Sequence, residues 1–265
     1  MNKVKKVGTA NLLRCELQRV FKRKRTWAVL IVYALVTFLE CVFLALMNTS
    51  FYDLQHSVAL DSLNAAPFLL RELAVLINFV VIPMLAADSF GGDVSSGALR
   101  LSLIRPVSRA KLFAVKWLVL GLILGGLTLF TWLVGTLFAR IAMSPVDETV
   151  LMGAGQVGNL GALGFTLGFY GLAFLVFLAW IGVGGVVARL LPNPVLAYIG
   201  MLAVIVGGLY VSDRFTFLLS VSDSIFHFLG GTESADASLG WMLCILLTGC
   251  AIMGTWSWRR REWMQ

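Results

Sequence analysis

The sequence predicts an all-α membrane protein: six transmembrane helices preceded by an amphipathic interfacial elbow helix, both termini cytoplasmic. Three observations carry this. Of 265 residues, 59% are hydrophobic and 13% charged, and the mean hydropathy is +0.88. An ordinary soluble domain is about 25% charged, so the surplus apolar surface needs lipid as its solvent. The apolar residues fall in six separate runs, each near the ~20 residues that a helix needs to cross the hydrocarbon core. The basic residues gather on one side of those runs.

The chain divides into a basic elbow segment (1–26), a transmembrane region (27–257) and a basic tail (258–265). In the first segment, Ala10 to Arg25 has helical periodicity, with Leu13, Leu17, Val20 and Phe21 on one face and Arg14, Gln18, Lys22 and Arg25 on another. Thr9 or Asn11 is placed to cap its start. Such a helix lies naturally among anionic headgroups. A nucleic-acid-binding arm is disfavoured because no aromatic stacking platform accompanies the charges. The spans run over Trp27–Met47, Arg71–Ala87, Leu112–Phe138, Leu160–Val187, Pro194–Val211 and Leu239–Trp256. The second is short. The fourth is long and glycine-rich, and is expected to contain a break. The first is retained rather than cleaved, because its basic lead and apolar run both exceed those of a signal peptide.

Orientation follows from Lys and Arg, which stay cytoplasmic near span ends. Of the 21 basic residues, only Arg71, Arg140 and Arg214 fall on the outer side. The outer connections carry acids instead, among them Asp53, Asp61, Asp147, Glu148 and Asp223. Two basic ends on one side require an even number of spans.

The connection at 88–111, between spans two and three, is the most informative stretch. It opens with small residues and the acidic pair Asp88 and Asp93. Ser95 or Ser96 is placed to cap a short helix near Gly97, with Leu99, Leu101, Leu103 and Ile104 apolar among Arg100 and Arg105. Pro106 ends that helix, and Ser108 caps the next. A short, partly apolar helix at a membrane surface suits docking on a soluble partner; a loop covering its own leucines fits the pattern equally well.

Asp93, Ser96, Gly97, Leu99 and the run Arg105-Pro106-Val107-Ser108-Arg109 resemble the signature of type-2 ABC transporter (ABC-2-type) permease subunits. The sequence departs from it at Ala98, where the family often has threonine, and at Asp93, where glutamate is commoner. The elbow, the six spans and the tail Trp258-Arg-Arg-Arg-Glu262 fit the family plan. The resemblance implies that residues 93–105 form a coupling helix resting in a cleft of a separate ATPase subunit. Asp93, Ser96, Gly97, Leu99, Arg100, Leu103, Arg105, Pro106 and Arg109 then form the ATPase-coupling set. It implies two ATPase copies holding ATP and Mg, a second permease subunit (an identical copy or a paralogue), and a bacterial plasma-membrane setting. Most members of the family export their cargo.

The chain is not expected to hydrolyse ATP or to bind a cofactor itself. A phosphate-binding loop needs G-x-x-x-x-G-K-[ST], and neither Lys111 nor Lys116 follows a glycine. No Ser/His pair or acid cluster lies within the spans, which disfavours an intramembrane enzyme. The histidines His56 and His227 are isolated, and metal sites need three or four converging ligands. Cys15, Cys41, Cys244 and Cys250 include no CxxC pair and read as small packing residues. The alternative function is an ion-coupled secondary transporter, which would show inverted repeats and several ionisable residues at membrane depth; Glu40 is the one candidate. Glu40 in the first span and Arg71 at the outer start of the second are placed to pair. The GxxxG patterns at Gly121–Gly125 and Gly164–Gly168 point to close helix packing. The outer stretch 212–237 interleaves phenylalanines with charges, as a short gating helix or an interfacial helix would.

Overall fold

The computed structural model describes residues 8–52, 57–92, 108–152, 154–191, 193–211, 217, 220–230 and 236–260. Helix α1 (Thr9–Phe21) has Gly8 as its N-cap and stops four residues earlier than its periodicity suggests, because Arg23 turns extended and becomes the N-cap of the next helix. The Trp27 indole donates to the Phe21 carbonyl at 2.8 Å, satisfying one orphan acceptor of the α1 end. Helix α2 (Lys24–Met47) buries a single stripe of Val29, Tyr33, Thr37, Cys41 and Leu44. Ile31, Leu35, Phe38, Leu39, Val42 and Leu46 on its other faces are all at least half exposed. A helix apolar all round with one buried stripe is suited to lipid on its remaining faces.

Asn48 ends α2 in the left-handed conformation. Two short antiparallel hairpins then interrupt the expected all-helical plan: β1 (Thr49–Phe51) with β2 (Ser57–Ala59), and β3 (Glu148–Leu151) with β4 (Gly155–Gly158). No alternating run in the sequence is long enough to predict them. Asp61 joins the two. One carboxylate oxygen accepts from the Leu63 and Asn64 amides at 2.8 and 2.9 Å, and the other accepts from the Thr149 hydroxyl at 2.5 Å.

Helix α3 (Ala65–Gly91) begins six residues before the expected second span and runs four beyond it. It contains two π-helical turns, Ile77–Val81 and Ala87–Gly91. The first has a cause in the sequence. Pro83 lacks an N–H, so the Phe79 carbonyl loses its usual donor four residues on; the Tyr198 hydroxyl donates to it at 2.9 Å instead. The neighbouring Asn78 carbonyl accepts from the Trp180 indole.

Helix α4 (Arg109–Ala142) is capped by Ser108, as expected, its hydroxyl accepting from the Lys111 amide. Helix α5 (Asn159–Leu190) is continuous for 32 residues, so the break expected in the glycine-rich fourth span is absent. Its glycines instead admit neighbours: a Cβ on Gly185 would lie 2.7 Å from the Phe113 ring. Of the two GxxxG pairs, Gly121 and Gly125 approach Leu178 and Phe174 of α5, while Gly164 and Gly168 face open space. Helices α6 (Pro194–Val211), α7 (Val221–Gly230) and α8 (Asp236–Arg260) complete the described helices.

Among the described residues, five helices are long and apolar enough to cross a membrane: Lys24–Met47, Ala65–Gly91, Arg109–Ala142, Asn159–Leu190 and Leu239–Trp258. The segment expected as the fifth span forms α6, whose apolar stretch Pro194–Gly208 is shorter and is not among the five. The protein is an all-α membrane protein with two small hairpins at one end. Each end of the bundle has an aromatic core. At the hairpin end, Phe226 of α7 lies 4.7 Å from Phe169, 5.0 Å from Tyr52 and 5.2 Å from Phe68, ring centre to ring centre. Burial there pushes the Tyr52 phenol up to about 12. At the opposite, basic end, Phe90, Phe113 and Trp258 meet at 5.6 to 6.0 Å.

Candidate functional site

The stretch that the sequence singles out, 93–107, lies outside the described residues. Asp93, Ser96, Gly97, Leu99, Arg100, Leu103, Arg105 and Pro106 all fall in it, and Arg109 is the first residue of α4. The two roots of the stretch, Gly92 and Ser108, are described, and the structure around them forms a connected polar joint. The expected loop begins later than Asp88: residues Ala87–Gly91 are the second π turn of α3, not a flexible lead.

That turn exposes backbone acceptors. The Gly92 amide reaches back five residues to the Ala87 carbonyl, so the Asp88 carbonyl is released from its α-helical partner. The Arg23 guanidinium, from the joint between α1 and α2, donates to it at 2.6 Å. Arg25 lies 3.3 Å from the Asp88 carboxylate. One residue on, the Ser89 carbonyl accepts from the Lys116 ammonium at 2.7 Å. Lys116 is 1% exposed and also donates to Glu16 of α1 at 3.4 Å; the second Glu16 oxygen lies 3.5 Å from Arg19.

Lys116, Glu16 and the Ser89 carbonyl thus tie α1, α3 and α4 together at the foot of the 93–107 stretch. A buried cation retained beside an apolar bundle requires such pairing and hydrogen bonding. Motif reading found Arg109 at this joint but missed Glu16, Arg23 and Lys116. The signal for Glu16 was present: it is the sole acid within the stripe Leu13, Leu17 and Val20, and it falls on their face. Around the polar joint, Phe90, Phe113 and Trp258 bring in α8, and Gly91 packs against Pro194 of α6. Residues from α1, α3, α4, α6 and α8 therefore meet within one cluster.

This chain matches the family model described as "ABC-2 family transporter protein" over residues 12–189, more than half of its length. The chain belongs to the ABC-2 transporter family. It is an ABC transporter permease, a multi-pass membrane protein, of a family whose members pair with ABC ATPase subunits and are typically non-catalytic membrane components. The match begins inside α1 and ends at the close of α5, so it contains the whole polar joint except the contacts from α6 and α8. No curated protein matches the chain.

At the hairpin end the expected pairing of Arg71 with Glu40 is replaced by another. Arg71 lies 3.2 Å from the Asp223 carboxylate and donates to the Phe51 carbonyl. The reason is α7, which lies beside α3 with Val221, Ser222, Ile225 and Phe226 buried. This brings an acid to Arg71 from 152 residues along the chain. Glu40 is left within electrostatic reach of Glu72.

All four cysteines are free, with Cys41 and Cys250 buried and Cys15 and Cys244 exposed. Among the described residues no three His, Cys, Asp or Glu side chains gather as a metal site.

Proposed function

We propose that this permease is the membrane subunit of an ATP-driven exporter. In this reading it has six spans, with α6 as the fifth, and α1 is an elbow helix lying in the inner headgroup layer. Both termini are cytoplasmic in a bacterial plasma membrane. Residues 93–105 form a coupling helix against a separate ATPase subunit that binds ATP and Mg. Two ATPase copies and a second permease, identical or a paralogue, complete the transporter.

The observation that carries the reading is the polar joint at Gly92 and Ser108. A segment that receives motion from a motor must be anchored to several spans at once, or the motion is lost in local bending. The buried Lys116 contacts to Ser89 and Glu16, with Arg23 on Asp88, supply that anchoring at the roots of the stretch that carries the resemblance.

The test is co-purification of the permease with a co-expressed ABC ATPase. Leu99→Asp and Arg105→Glu each bring an unmatched negative charge into the proposed contact and should reduce the ATPase retained by about tenfold or more. The thermal midpoint of the isolated permease should be unchanged in both variants. Full retention in both, or transport by the purified chain with no nucleotide-hydrolysing subunit, would favour the ion-coupled alternative.

A further inference from the structure

A second site stands at the hairpin end, far from the joint. A cleft of about 480 Å³ opens between the last turns of α2, strand β1, the first turns of α3 and the start of α7. Its walls are apolar: Phe43, Met47, Val75 and Val221. Phe43, Met47 and Val75 are each about half exposed, so the cleft opens on an apolar flank of the bundle rather than through its axis. Arg71, Glu72 and Asp223 also line it.

Charge decides the ligand. Arg71 is taken by Asp223 at 3.2 Å, which leaves Glu72 as an excess negative charge on the cleft wall. Glu40 adds to it. It lies one turn below Phe43 and Leu44 on the same face of α2. An independent feature marks the cleft as built for a ligand. Ser222 lines it and is only 1% exposed, and its hydroxyl has no hydrogen-bond partner among the described residues. A buried hydroxyl without a partner is costly unless something that enters the site satisfies it.

We propose that this cleft binds lipophilic cations: molecules with a bulky apolar body and one positive charge. The body replaces lipid against Phe43, Met47, Val75 and Val221, and the charge lies by Glu72 and Glu40. The apolar opening lets such a molecule enter from the bilayer, where amphiphilic cations concentrate. A carboxylate pair near an apolar wall favours a cation over an anion of the same shape, because the anion meets repulsion instead of neutralisation. That the bound cation is also cargo rests on the permease reading above; the binding itself does not.

The experiment uses the full chain in lipid nanodiscs, without any ATPase, and radiolabelled tetraphenylphosphonium as probe. Saturable binding is expected, displaced by unlabelled tetraphenylphosphonium and not by tetraphenylborate, its near-isosteric anion. Glu72→Gln, at an exposed position that folding does not depend on, should raise the Kd by about tenfold, the worth of one partly exposed charge contact. Glu40→Gln/Glu72→Gln should abolish saturable binding. Leu99→Asp should leave it intact, which separates this site from the coupling stretch. Unsaturable partitioning alone, equal competition by tetraphenylborate, or an unchanged Kd in Glu72→Gln would overturn the proposal.

Discussion

Lys116 is the residue on which the basic end turns. In the sequence it is one more positive charge near the start of a span, counted with Arg100, Arg105, Arg109 and Lys111 for orientation. In the structure it is 1% exposed and holds an acid and a carbonyl from two other helices. The partner is 100 positions away, and no local periodicity reports a contact at that separation. Lys116→Met leaves Glu16 buried with less of its compensation and should destabilise the chain by about 3–5 kcal/mol. Glu16→Gln/Lys116→Met should recover most of the loss, because neither member is then charged. Thermal unfolding of the purified variants distinguishes the cases; a double variant as unstable as the single would assign the lysine a packing role. The same limit explains Arg71. Its depth was legible, but its partner Asp223 depends on where α7 docks.

At the scale of elements, the spans were legible because they rest on long apolar runs, and the Ser108 cap because it is local chemistry. The π turns were not, since each depends on a carbonyl finding a donor on another helix. Pro83 was the one visible hint. Tyr198→Phe should cost about 1 kcal/mol, the usual net worth of such a hydrogen bond. In a Pro83→Ala background, where an amide again faces the Phe79 carbonyl, the cost should fall to less than half. Equal costs in a double-mutant cycle would mean that the proline does not set the turn. Helix α7 presents the complementary case: its phenylalanines were visible as an amphiphilic stretch, but not the socket that receives them. Phe226→Ala empties the aromatic core at the hairpin end and should cost about 3–5 kcal/mol. Limited proteolysis should then cut near α7 well before it cuts the spans; unchanged protection would place the anchoring of α7 elsewhere.

For the whole molecule, composition and the one-sided distribution of Lys and Arg were enough to read a multi-pass membrane protein. The resemblance at 88–111 gave the family that the match over residues 12–189 establishes. The two hairpins lay beyond reach, because strands of three or four residues carry almost no period-2 signal. Orientation has a direct check in a cysteine-free background. Asp147→Cys, beside β3, should react with a membrane-impermeant maleimide on intact cells. Ser108→Cys should react only after permeabilisation. The reverse pattern would invert the positive-inside assignment.

The Glu16–Lys116 pair also imposes an order on biogenesis. The ribosome releases the acid 100 residues before the amine, a delay of roughly 5–20 s at ordinary elongation rates. Until then α1 has no seat, and its carboxylate must wait in water or among headgroups. Nascent chains arrested before residue 116 should therefore carry a loose, protease-sensitive leader, and longer ones a docked one. Seating of α1 would then time the moment at which the first half of the bundle has been threaded into the bilayer.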